Sequence, residues 1–127
     1  MNRAALEVTD ADRAAYRATA LRRRAEELAA TEAHRERAWL AARSAAAHLR
    51  ANYGATRVAV YGSLARGSGF SRWSDVDLFA AGIPDSRQIA AIADVFYNEQ
   101  PIQVNVAPLE ILKPHVREQA LIDAVDL

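Results

Sequence analysis

From Met1 to Tyr53 the chain contains neither glycine nor proline, and the stretch is dominated by alanine, arginine, glutamate and leucine. These residues lose little freedom in a helix, so helix is the conformation the segment favours throughout. Thr9 or Asp10 is placed to cap its start, and Asn52 to Gly54 to end it. Some forty helical residues span about 60 Å if straight. That is longer than the domain that follows, so the segment is expected to fold back as a hairpin near Thr31 or to pack against another chain. Its larger apolar side chains (Tyr16, Leu21, Leu28, Trp39, Leu40 and Leu49) are too sparse for a heptad seam. Two readings stand: an extra helix covering a sheet, or an alanine-surfaced arm for dimerisation or partner binding. The chain therefore divides near Tyr53-Gly54 into a helical extension, residues 1–53, and a compact domain, residues 54–127.

The second part opens on Arg57-Val58-Ala59-Val60-Tyr61, a short strand rich in β-branched residues and ended by Gly62. There follow Gly62-Ser63-Leu64-Ala65-Arg66-Gly67 and then Ser74-Asp75-Val76-Asp77-Leu78. Asp75 and Asp77, two apart in a strand expected over 75–81, leave the sheet on one face with Cα atoms about 6.5 Å apart. Carboxylates at that spacing can converge on one or two Mg²⁺ (or Mn²⁺) ions. A glycine turn lets backbone N–H groups approach a phosphate, and the Ser63 hydroxyl adds a donor. Arg66, one turn past Ser63, is placed to neutralise a β- or γ-phosphate. Further on, Gly82-Ile83-Pro84-Asp85 breaks the strand. Residues 86–97 carry Ile89, Ile92, Ala93 and Phe96 at helical spacing, a third strand follows near residues 101–107, and a last helix starts at Pro114.

Strand, Gly-Ser, arginine-bearing loop and Ser-Asp-x-Asp-Leu, in that order, resemble the minimal nucleotidyltransferase domains of the DNA polymerase β-like superfamily. The spacer from Leu64 to Ser74 is about one residue longer than the commonest form, which a loop absorbs. The resemblance implies an α+β fold, a small mixed sheet with helices packed on one side. It also implies a third carboxylate in a later strand, some nine residues before a proline. The matching stretch is Pro101-Ile102-Gln103-Val104-Asn105-Val106-Ala107, with Pro114 nine residues beyond Asn105. The third acidic position is thus held by Asn105, an amide of carboxylate shape without the charge; an alternative register places Gln103 there, which is no more acidic. In nucleotidyl transfer the third carboxylate bridges to the metal of the attacking hydroxyl and accepts its proton. Asparagine is a weaker ligand and no base, and general-base catalysis typically contributes about 10² to 10⁴ in rate.

Length and charge bound the remainder. The chain of 127 residues is expected to be one domain, without the second helical domain of larger transferases. That makes transfer to a small-molecule antibiotic less favoured, because no second domain builds the acceptor pocket. Its formal net charge is zero, which gives no electrostatic reason to expect nucleic acid. It has no cysteine, which fits a reducing cytoplasm, and nothing in it reads as a membrane span or signal peptide. Arg22-Arg23-Arg24 followed by Glu26 and Glu27 reads as a salt-bridged helix face. Arg72 and Trp73 flank the acidic strand, where they would contact base or partner or simply decorate the loop. Tyr61 reads as a packing residue. His34, His48 and His115 show no metal-ligand spacing.

Two functions follow. The first is a Mg²⁺-dependent nucleotidyltransferase that binds ATP or another NTP through Gly62, Ser63 and Arg66 and holds metal through Asp75 and Asp77. By resemblance its acceptor is a tyrosine hydroxyl on a HEPN-type toxin partner, to which such antitoxins transfer AMP. The second is a catalytically silent module that neutralises a partner by binding, which Asn105 favours and to which the N-terminal helix gives a docking or homo-oligomer surface.

Overall fold

The computed structural model describes residues 7–127. A single helix, α1 (Asp10–Tyr53), runs 44 residues, about 66 Å at 1.5 Å per residue. Thr9 caps it: its side chain accepts from the Asp12 N–H, and the Asp12 carboxylate accepts from the Thr9 N–H, each at 3.0 Å. Gly54 ends it in the left-handed conformation at φ 73°. The expected hairpin near Thr31 does not form, because no residue there breaks the backbone ladder. Of the extension expected over 1–53, residues 1–6 lie outside the described residues.

The second half of α1 is part of the core. Ala38, Ala41, Ala42, Ala45, Ala46, Leu49 and Tyr53 recur at three- and four-residue spacing and are buried. The alanines let the helix lie close against the sheet. The first half is exposed, with Tyr16, Leu21 and Leu28 each at least 60% accessible.

The sheet contains β1 (Arg57–Tyr61), β2 (Val76–Ala81), β3 (Val104–Pro108) and β4 (Val125–Asp126), in the order β3-β2-β1-β4. β2 runs antiparallel to β1 and parallel to β3, and β4 pairs antiparallel with β1, so the sheet is mixed as expected. A short helix, α2 (Ser63–Arg66), follows β1. α3 (Gln88–Asn98) follows β2 after a 3₁₀ turn over Asp85–Arg87, and α4 (Pro114–Asp123) precedes β4. α3 faces the core through Ala91 and Val95, while Ile89 is exposed. Its apolar spacing therefore predicted a helix but not the buried face.

Alternation sorts the strands into two faces. Val58, Val60, Val76, Leu78, Ala80, Val104 and Val106 join the cluster under α1 and α3. Ala59 and Phe79 point the other way and meet Ala120 of α4 with Leu109, Leu112 and Ala124 around them. The helices on one side are thus α1 and α3, and α4 lies on the opposite face. Among the described residues no helix is long and apolar enough to cross a membrane.

Candidate active site

The odd-numbered residues of β1, β2 and β3 share the face of α4, and the polar ones gather at one end. In the register Tyr61 is opposite Asp77, and Asp77 is beside Asn105. The Asn105 Nδ2 donates to Asp77 Oδ1 at 3.4 Å, and the Gln103 Nε2 donates to Asn105 Oδ1 at 3.3 Å. Asp77 is half-buried and Asp75 exposed. Asp75 precedes the strand, which begins at Val76 rather than at 75 as expected, so it stands at the lip of the site.

Gly62 ends β1 at φ 79°, ψ −155°, a conformation that side chains resist. A Cβ placed there would sit 3.2 Å from Asp77 Oδ2. The glycine thus does two things: it makes the turn, and it leaves space beside the carboxylate. Ser63 opens α2, whose end at Arg66 is closed by the Gly67 N–H donating to the Ser63 carbonyl at 2.9 Å.

Electrostatics at Asp77 are unfavourable to its charge. Burial raises its pKa above the ordinary carboxylate value; the Asn105 amide opposes this, and the negative charge of Asp75 adds to it. Burial and Asp77 likewise push the Tyr61 phenol up. Two nearby carboxylates, one destabilised in its charged form, suit a divalent cation shared with phosphate oxygens. The amide suits it less. Its donor faces Asp77 and relieves the charge that a cation would otherwise relieve. Among the described residues no group of three acidic, histidine or cysteine side chains is placed to hold a metal ion.

The loop between α2 and β2 is anchored to α1. The His34 Nε2 donates to the Ser74 carbonyl at 2.8 Å, and its ring stacks on Phe70 at 5.5 Å. Arg35 lies over the same Phe70 ring at 4.8 Å, and Arg72 pairs with Glu27 at 3.3 Å. His34, to which the sequence assigned no role, thus helps hold the segment that presents Asp75. Arg22 and Glu26 approach to 3.7 Å, as a salt-bridged face requires. Trp73 is exposed, with Arg72 stacked on it at 4.5 Å.

Arg66 stands beside the glycine turn, where its Nη1 donates to Asp123 Oδ2 at 2.8 Å. Asp123 is the residue that sequence reasoning missed. It is 57 positions from Arg66, and no motif or spacing marks it.

Residues 43–127 match a family model described as nucleotidyltransferase domain. A solved structure described as that of a candidate minimal nucleotidyltransferase is 34% identical, covers 67% of this chain and 88% of its own, and superposes with a TM-score of 0.55. No curated protein matches the chain. The family match begins inside α1, in the half that packs on the sheet.

Proposed function

The chain belongs to the nucleotidyltransferase domain family, and from that premise we propose that it binds an NTP with Mg²⁺ and transfers the nucleotidyl group to a hydroxyl. One observation carries the reading: the glycine turn, Asp77 and position 105 meet on one face of the sheet, with the space beside Asp77 kept by Gly62.

Asp75 and Asp77 would hold the metal, which when bound neutralises phosphate charge and acidifies the attacking hydroxyl. The Gly62 turn lets phosphate oxygens approach backbone, and the Ser63 hydroxyl donates to them. In transfer the acceptor oxygen bonds to the α-phosphorus, the bond to the β-phosphate oxygen breaks, and pyrophosphate leaves. The acceptor proton has no base at Asn105 to receive it and passes to water or to the leaving phosphate. Turnover is accordingly slow. The acceptor we favour is a tyrosine hydroxyl on a HEPN-type partner protein, with ATP as donor.

A second reading has its own observation. Because the Asn105 amide donates to Asp77, the carboxylate has a neutral hydrogen-bond partner where a third carboxylate would call for a cation, as suits a module that acts by binding its partner alone. α-Labelled ATP with Mg²⁺ or Mn²⁺, incubated with lysate of the source cell, separates the two. Wild type is expected to label one protein weakly, Asn105→Asp to label it about 10² or more faster, and Asp75→Ala/Asp77→Ala not at all. No label from wild type or Asn105→Asp, with partner neutralisation intact in the double variant, would establish the binding module instead.

A further inference from the structure

The last residue of α4 is a carboxylate, Asp123, at the end of a helix where the dipole disfavours negative charge. Three donors compensate it. The Gln119 Nε2 donates to Oδ1 at 3.0 Å and the Arg66 Nη1 to Oδ2 at 2.8 Å, and the Gly62 backbone N–H adds the smallest of the favourable interactions. Burial alone would raise its pKa, but these donors and the Arg66 charge outweigh burial and hold it below the ordinary value. Only one donor, Gln119, belongs to α4 itself. The other two come from either end of the turn that carries Ser63.

The neighbouring ion pair on the same C-terminal segment is a useful contrast. Arg57 and Asp126 meet at 2.8 Å with side chains 42% and 63% exposed, whereas the Asp123 side chain is 5% exposed. Exposed pairs of the first kind contribute little. An enclosed carboxylate bonded to Arg66 on one side and to Gln119 on the other ties the glycine turn to α4 through charge-assisted contacts.

We propose that Asp123 is a positioning residue, which holds Arg66 against α4 so that the Ser63 turn receives the triphosphate in one conformation. The inference rests on the nucleotide-binding reading of that turn. It gives α4 a task in binding as well as in packing.

The test is calorimetric binding of ATP with Mg²⁺ to the full chain, beside thermal melts. Asp123→Ala is expected to bind about tenfold more weakly than wild type, the equivalent of one lost charge-assisted contact. In an Arg66→Ala background the same change should cost less, since one route of its action is already gone. Asp126→Ala, which removes the exposed pair, serves as the control, expected to leave both Tm and affinity close to wild type. Should Asp123→Ala fail to fold, Asp123→Asn, which keeps one acceptor for Arg66, should fold and bind with intermediate affinity. Equal affinity of wild type and a folded Asp123 variant overturns the positioning role while leaving nucleotide binding in place. Absence of ATP binding by wild type overturns the nucleotide reading, and the positioning role with it.

Discussion

The two faces of the sheet are built from the same three long strands and do opposite things. One face buries Val58, Val60, Leu78, Ala80, Val104 and Val106 under α1 and α3 with no polar interruption. The other buries only Ala59 and Phe79 against α4 and leaves its end to Tyr61, Asp77 and Asn105. Adjacent residues in β2 illustrate the division: Leu78 is fully buried, while Asp77 is half-buried with its charge disfavoured. Stability is concentrated on one side, so the other can hold an uncomfortable carboxylate.

The strongest break of that comparison is Asp77→Asn. Transfer should fall by about 10³, as loss of a metal's several kcal/mol of charge stabilisation implies. The same variant should melt higher than wild type at pH 7. Because burial raises the folded pKa of Asp77, its favourable contribution is present below the unfolded value of 3.8 and is lost as pH rises through the folded one. The difference in Tm should therefore close as the pH falls below 3.8; a variant that melts lower at pH 7 would contradict the assignment. On the opposite face, Leu78→Ala should cost about 2–5 kcal/mol in urea unfolding. Its folded fraction should bind ATP as wild type does, and a selective loss of affinity would show that the faces are not separable. The smallest effect belongs to neither face. Thr9→Ala should cost about 1 kcal/mol of local helix stability. It should be read as faster amide exchange in the first turns of α1, with Tm and ATP affinity unmoved.

Much of this architecture was legible because local signals coincided. The glycine-free start, the Thr9 cap and the Gly54 stop defined α1, and the β-branched run before Gly62 defined β1. Asp77 and Asn105 were assigned to strands that the register places side by side. What stayed hidden depended on contacts distant in sequence. The fold-back near Thr31 was an inference from length, and uninterrupted helix propensity overrode it. α3 shows apolar residues on both sides, so the spacing of Ile89, Ile92, Ala93 and Phe96 marked a helix without marking its inner face, where Ala91 and Val95 are buried and Ile89 is not. β4 is two residues long, below any periodicity. The roles of His34 and Asp123 exist only because α1 passes the loop at Ser74 and α4 ends behind Gly62.

The central claim is that the face carrying Asp77 and Asn105 receives a nucleotide together with a divalent cation. Calorimetric titration of wild type and Asp77→Asn with ATP, each with and without Mg²⁺, tests it most directly. The account predicts that wild type binds ATP with an affinity that depends on Mg²⁺, and that this dependence is lost in Asp77→Asn. Binding of equal strength in all four titrations, or none in wild type, would contradict it.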